Sequence, residues 1–434
     1  MSFPAYPDYK HSGVELLPEY PSHWTLKRFK NVFAERAERS SDGSEELLSV
    51  SAYFGVKPRS ETLDEGDHLS RAESLEGYKV CRAGDLVINI MLAWNRGLGF
   101  SWQHGIVSPA YSVFHVTDGS LPKFLDYLVR SDECIRYFKT HSAGIMDSRL
   151  RLYPESFGRL FSAIPPACEQ TQIARFLDHE TARIDALIEE QQRLIELLKE
   201  KRQAVISHAV TKGLNSTVPM KDSGVEWLGK VPAHWDVLPV WMLFQMGRGR
   251  VISHDEIAEN SGDYPVYSSQ TERDGVMGSI DTYDFEGDYL TWTTDGANAG
   301  TVFRRSGKFN CTNVCGTLLP KRKDDDLRYF VDAVGICTAA FIRHDINPKL
   351  MNNVMASIKV PVPPLMEQTA IAAYVSAFKD KETVLIQEAF TGISLLQERR
   401  SALISAAVTG KIDVRAWQPP ASTQTPEFEV AEAH

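Results

Sequence analysis

The 434-residue chain has only six cysteines, and no apolar run in it reaches the ~18 residues needed to cross a bilayer. The longest, Leu86 to Trp94, is interrupted by Asn89. Met1 to Lys10 is rich in Pro and Tyr and lacks the basic-then-apolar pattern of an export signal. Six cysteines without such a signal read as free thiols of a reducing cytosol. The expectation is a cytoplasmic protein with no membrane partner and no disulfide scaffold. Positive charge is also short: 47 Lys+Arg against 57 Asp+Glu leave a net −10. That argues against nonspecific wrapping around nucleic acid, but leaves room for a local basic face. Residues 130–159 form one candidate, with six basic against four acidic residues.

Catalytic signatures are missing as well. The sequence has no Walker loop, no Gly-x-Ser-x-Gly elbow and no His-Glu-x-x-His. It has no Asn/Asp-Pro-Pro-Tyr loop of the kind that grips a base in DNA adenine methyltransferases. Cys311 and Cys315 lack a second pair to complete a zinc site and read as packed strand residues. Asp8-Tyr9-Lys10 looks faintly like a nuclease signature, but on a terminus expected to fray it is read as chance. The expectation is no catalytic residue, no metal ligand and no cofactor in this chain.

What is present is a repeat. HSGVELLPEYPSHW at 11–24 recurs as DSGVEWLGKVPAHW at 222–235, with eight identities in fourteen positions at an offset of 211. IPPACEQTQIARFL at 164–177 returns as VPPLMEQTAIAAYV at 362–375, and RQAVISHAVT at 202–211 as RSALISAAVT at 400–409, both at an offset of 198. The second and third blocks keep their separation to the residue, while the stretch before them is 13 residues longer in the first copy. Each copy therefore joins a variable globular part to a part of fixed length. In the repeated Pro-x-His-Trp, His23 and His234 are read as structural turn residues anchored by buried Trp24 and Trp235.

The fixed part reads as a long helix. Pro165-Pro166 suit a helix start, and no proline or glycine follows until Gly213. Apolar residues recur in steps of three and four: Ile173, Leu177, Ile184, Leu187/Ile188, Leu194/Ile195, Leu198, Val205 and Ala209. The second copy carries Ile371, Val375, Phe378, Leu385, Ala389, Ile393, Leu396 and Leu403, weakened by Glu382 at a seam position and by Gly392. Two equal apolar seams are most simply paired with each other, and antiparallel pairing needs no long return connection. The variable parts read as mixed α/β, with strands near Asp85–Ile90, Ala110–Val116, Asp288–Thr293 and Gly300–Phe303 and a helix over Phe124–Thr140.

The fold class expected is therefore α+β: two mixed α/β domains separated by a pair of long antiparallel coiled-coil helices, with pseudo-twofold organisation. The divisions are 1–163, 164–216, 217–361, 362–413 and a disordered Pro/Thr/Glu-rich tail at 414–434.

The doubled, ordered set of three motifs closely resembles the specificity subunit of type I restriction–modification systems. Asp85-Leu86-Val87-Ile88-Asn89 with Met91 and Ala93-Trp94, then Gly105 to Tyr111, is similar to one class of target-recognition domain; Asp295-Gly296-Ala297-Asn298-Ala299-Gly300-Thr301-Val302 is similar to another. The resemblance implies a noncatalytic reader of double-stranded DNA. Each globular domain would read one half of a bipartite, asymmetric target, and the helices would set the gap. It implies two modification subunits that bind S-adenosylmethionine and methylate adenine. Restriction subunits with an ATP- and Mg-dependent translocase complete the complex.

Base readout favours Arg on guanine and Asn or Gln on adenine. The candidates in the first domain are Arg149 and Arg151, beside the Gly144 turn, then Asn95 and Arg96. In the second they are Thr294, Asn298, Arg304 and Arg305, with Gln270 nearby in sequence. Two rivals stand beside this reading: a protein-binding coiled-coil scaffold without DNA specificity, and an S-adenosylmethionine-dependent DNA methyltransferase with unrecognised motifs.

Overall fold

The computed structural model describes residues 3–14, 17–52, 54–61, 74–146, 149–342 and 348–420. Two compact units share the chain: residues 1–191 with 391–434, and residues 192–390. Two helices dominate the secondary structure, Ala167–Lys212 and Leu365–Val408, of 46 and 44 residues. At 1.5 Å per residue they run about 69 and 66 Å. Each starts directly after its Pro-Pro and ends near a glycine in left-handed conformation, Gly213 (φ +80°) and Gly410 (φ +75°), where the missing Cβ removes the steric penalty. No helix among the described residues is long and apolar enough to cross a membrane.

Antiparallel pairing is visible within each unit. In unit 1 the start of the first long helix (Ile173, Phe176, Leu177) shares a core with the end of the second (Ala407, Val408). In unit 2 the end of the first (Ile206, Ala209, Val210) shares a core with the start of the second (Ile371, Ala372, Val375). An ion pair ties the helices in each case: Arg400 to Asp185 at 2.9 Å, and Arg202 to the buried Glu382 at 3.1 Å. The seam is narrower than the sequence spacing suggests. Leu187, Leu194 and Leu385, assigned to it, are exposed, while Ile184, Ile195, Ala389 and Ile393 are buried. Two helices cover one stripe, so of two adjacent apolar residues about 100° apart only one is enclosed.

The globular parts repeat one topology. In unit 1 a four-stranded antiparallel sheet runs in the order Phe33–Glu35, Tyr111–Val116, Leu86–Asn89, Leu98–Phe100. In unit 2 the order is Phe244–Arg248, Cys315–Pro320, Tyr289–Thr293, Val302–Arg305. A second strand pair lies at the foot of each: Thr25–Arg28 with Phe161–Ile164, and Asp236–Pro239 with Lys359–Val362. Unit 2 adds a further sheet that includes the Ser261–Tyr267 and Val276–Ile280 hairpin.

The repeated motifs touch one another. Glu169, at the start of the first long helix, accepts from His23 Nε2 (2.8 Å), Trp24 Nε1 (3.0 Å) and the Tyr6 hydroxyl. Glu367 accepts from His234 Nε2 (2.6 Å) and Trp235 Nε1 (3.0 Å). The next residue acts alike in both copies: Gln170 accepts from Leu121 N and donates to Pro165 O, and Gln368 accepts from Asp326 N and donates to Pro363 O. His, Trp, Glu and Gln thus fasten the domain to its helix, and Trp24 and Trp235 are buried.

Three local expectations are corrected. The helix expected over Phe124–Thr140 is two, Pro122–Val129 and Asp132–Thr140, because the Ser131 hydroxyl caps the second by accepting from Cys134 N. The N-terminus is not frayed: Tyr6 is buried and Tyr9–Val14 is a strand. The tail expected to be disordered from 414 begins ordered. Val414 is buried, Trp417 meets Phe176 edge-on at 5.2 Å, and Gln172 donates to the Val414 carbonyl. Its remainder, 421–434, lies outside the described residues.

Candidate nucleic-acid interface

In unit 1 the buried strand Leu86–Asn89 delivers the chain to an exposed loop. Leu92 N donates to Asn89 O and the Asn89 side chain accepts from Met91 N, turning the chain into the 3-10 turn Ala93–Asn95. Buried Ala93 anchors that turn, which leaves Met91, Leu92 and Asn95 exposed. A second loop lies alongside. Ala143 and Arg151 exchange two backbone hydrogen bonds of 2.9 Å, and Leu152 N donates to Ile90 O at 2.8 Å, stitching the loops together. At Gly144 (φ +144°) a Cβ would lie 2.7 Å from the Arg149 carbonyl, so the ribbon closes only on glycine. Lys139 Nζ stands 5.3 Å from the Trp94 ring centroid.

Arg149 and Arg151 both leave this ribbon into solvent, and among the described residues neither guanidinium has an ion pair or a side-chain hydrogen bond. Asp147 and Ser148 between them and Met146 lie outside the described residues. Arg96 is different. It takes a left-handed backbone (φ +61°) and turns inward, donating to Arg130 O at 2.6 Å and to the Asp132 carboxylate. It holds the loop on the helix behind it.

Unit 2 builds the same two-loop arrangement from other residues. Strand Tyr289–Thr293 leads into the loop 294–299, and Leu350 N donates to Thr294 O at 2.9 Å, as Leu152 N does to Ile90 O. Gly296 N bonds Pro348 O, and Asp295 pairs with Lys349 at 3.4 Å.

Here the sequence candidates are placed differently, and two of them, Thr294 and Arg305, are buried. Thr294 is fully buried beneath the 348–350 segment. Arg305 is 2% exposed. Its guanidinium stacks 3.7 Å from the Tyr267 ring centroid and pairs with Asp274 at 2.6 Å. Burial raises the Tyr267 phenol above its ordinary value, so the ring stays neutral under that cation. Arg304, one residue earlier on the same strand, is exposed but lies 3.5 Å from Asp288, in a cleft shared with Arg328, Asp332 and the second long helix. Gln270 is turned back on its own loop, donating to Val276 O. Asn298 is half-buried and donates to Ser269 O at 3.1 Å, which places the 268–275 loop beside the 294–299 loop.

Sequence reasoning passed over the cations this second face does offer. Arg273 (φ +47°) and Asp274 (φ +57°) are consecutive left-handed residues at the tip of the 268–275 loop, with Arg273 exposed. Arg248, also exposed, spends its Nε on Asn313 O at 2.7 Å and has no carboxylate partner among the described residues. The Asp274-Gly275 turn signal was the available clue to Arg273.

Cys311 and Cys315 are buried, and among the described residues no group of His, Cys, Asp and Glu is placed to hold a metal ion.

Comparison with known proteins matches residues 232–389 to the type I restriction modification DNA specificity domain. A putative type I specificity subunit of Mycoplasma pneumoniae is 41% identical over 143 residues, covering 32% of this chain and 39% of that one. The chain thus matches less than half the length of that relative. The N-terminal portion of another putative type I specificity subunit from that organism is 41% identical over 132 residues, 30% of this chain and 71% of the relative. The HsdS subunit from Thermoanaerobacter tengcongensis superposes with a TM-score of 0.54 over 93% of this chain and all of its own. At 15% identity, that likeness speaks for the fold alone. With the doubled motifs and the two repeated units, these matches establish that the chain belongs to the family of type I restriction–modification specificity subunits.

Proposed function

We propose that the chain is a noncatalytic reader of double-stranded DNA in which each unit recognises one half of a bipartite, asymmetric sequence. The long helices set the distance between the halves and dock two modification subunits, which supply S-adenosylmethionine and the methyl transfer. Restriction subunits using ATP and Mg join that complex. The observation that carries this reading is the two-loop arrangement, which occurs once per unit on the same sheet position but with different residues. A repeated scaffold with unlike tips is what two independent sequence readings require. Arg149 and Arg151, exposed and without a side-chain partner among the described residues, suit bidentate contacts to guanine, and exposed Leu194, Leu197, Val384 and Phe390 on the helices of unit 2 suit a protein partner. The acidic overall charge fits a chain whose partners share the phosphate contacts.

The test is the methylated sequence produced by the assembled complex. Arg149→Ala and Arg151→Ala should each relax one half of it, at about 1–3 kcal/mol per lost bidentate contact, and leave the other half unchanged. Unaltered specificity in both variants would reject this interface.

A further inference from the structure

The two loops of unit 1 expose more than cations. Met91, Leu92, Ile145 and Met146 are all exposed, and Ile145 is completely so. A single exposed apolar side chain is ordinary, but four on two hydrogen-bonded loops make a patch that calls for an occupant. Arg149 and Arg151, both exposed, follow Ile145 and Met146 in the same loop. Cations beside exposed apolar side chains fit a surface that is itself anionic at its edges and apolar at its centre.

In the DNA major groove, phosphates line the rims, and the thymine C5-methyl is the apolar group on the floor. The ~12 Å groove admits a two-stranded ribbon, and Ala143 and Arg151 pair across the base of this loop as two strands would. An exposed protein-binding patch would gain nothing from two nearby guanidiniums that have no carboxylate partner among the described residues unless its partner were acidic.

We infer that the Ile145–Met146 tip enters the major groove and reads a thymine methyl within the half-site of unit 1. The inference rests on the DNA-reading function proposed above and assigns a specificity-determining contact to residues other than the arginines. Ile145 makes no demand on the fold, so its replacement tests the contact and not folding.

The experiment uses the full chain with its modification subunits and duplexes carrying the methylated sequence. Deoxyuridine replaces thymidine one position at a time, and Kd is read by fluorescence anisotropy. At one thymine of the unit 1 half, loss of the methyl should weaken binding about fourfold, the effect of burying one such group. Ile145→Ser or Met146→Ser should weaken binding to the thymine duplex by a similar factor and lose the response to deoxyuridine at that position. Equal affinity for every substituted duplex would overturn the inference, as would a half-site without an A·T pair. It would also fall if Ile145→Ser and Met146→Ser both kept the full deoxyuridine penalty. A complex with no preference for its methylated sequence over a scrambled duplex would instead reject the DNA-reading function itself.

Discussion

In unit 1 the Glu169 carboxylate accepts from Tyr6, His23 and Trp24 and is 4% exposed, whereas in unit 2 Glu367, among the described residues, accepts from His234 and Trp235 alone and is 41% exposed. The difference follows from connectivity. In unit 2 the first long helix passes through Gly213 into the repeated segment, so a peptide chain holds helix and domain together. In unit 1 that junction is made by the two ends of the chain: Asp413 N donates to Pro4 O at 2.7 Å, the Tyr9 hydroxyl to Gly410 O at 2.9 Å, and Phe3 and Trp417 both pack on Phe176. Burial around Glu169 supplies in unit 1 what covalent continuity supplies in unit 2.

The sharpest way to break this comparison is to remove both acids in turn. Glu169→Ala leaves the Tyr6 hydroxyl and the Trp24 indole without an acceptor in the core, which should cost unit 1 about 3–5 kcal/mol. Glu367→Ala, at a wet site, should cost unit 2 about 1–2 kcal/mol. Denaturant titration read by hydrogen exchange in each unit measures both, and equal losses would remove the distinction.

The helix ion pairs sharpen the contrast in the opposite direction, because here unit 2 holds the buried member. Arg202→Ala strands the Glu382 carboxylate, 2% exposed, and should destabilise unit 2 by about 3 kcal/mol. Arg400→Ala releases an exposed Asp185 and should change unit 1 by less than about 1 kcal/mol. Thermal unfolding of the two variants should rank them in that order.

The smallest difference is in acid. The Arg415 guanidinium holds the Asp413 carboxyl below its ordinary 3.8, and Arg328 does the same for Asp326 in unit 2. A carboxylate depressed by folding stabilises above that ordinary value and loses its contribution as pH falls through the lower folded value. Both arginines are exposed, so solvent screening keeps each contribution small. Asp413→Asn should flatten the stability of unit 1 between about pH 5 and pH 2, while unit 2 keeps its own slope. An unchanged slope in unit 1 would show that the Asp413–Arg415 pair does not stabilise it.

The architecture was legible because its signals are periodic and doubled: the Pro-Pro helix starts, the glycine ends and the alternating strands all fell near their places. The interface was only partly legible, since exposure at loop tips is decided by distant chain. Arg304 and Arg305 are neighbours on one strand, and alternation sends one out and the other in, but sequence alone does not say which. Thr294 is covered by a segment more than fifty residues away, and Arg96 is captured by an aspartate thirty-six residues on. Arg149 and Arg151 kept their exposure because Gly144 allows the ribbon to close beneath them, and that glycine was visible in the sequence. At Val414 and Trp417 composition misled: these two apolar residues pack on unit 1 although the segment around them is polar.

The most direct test of separate reading by the two units is an exchange of residues 25–163 for the matching stretch of a relative with a different target, followed by long-read mapping of the methylated sequence. The account predicts a hybrid target in which one half changes and the other half, with the gap between them, stays as it was. A change in both halves together, or in the unit 2 half alone, would contradict it.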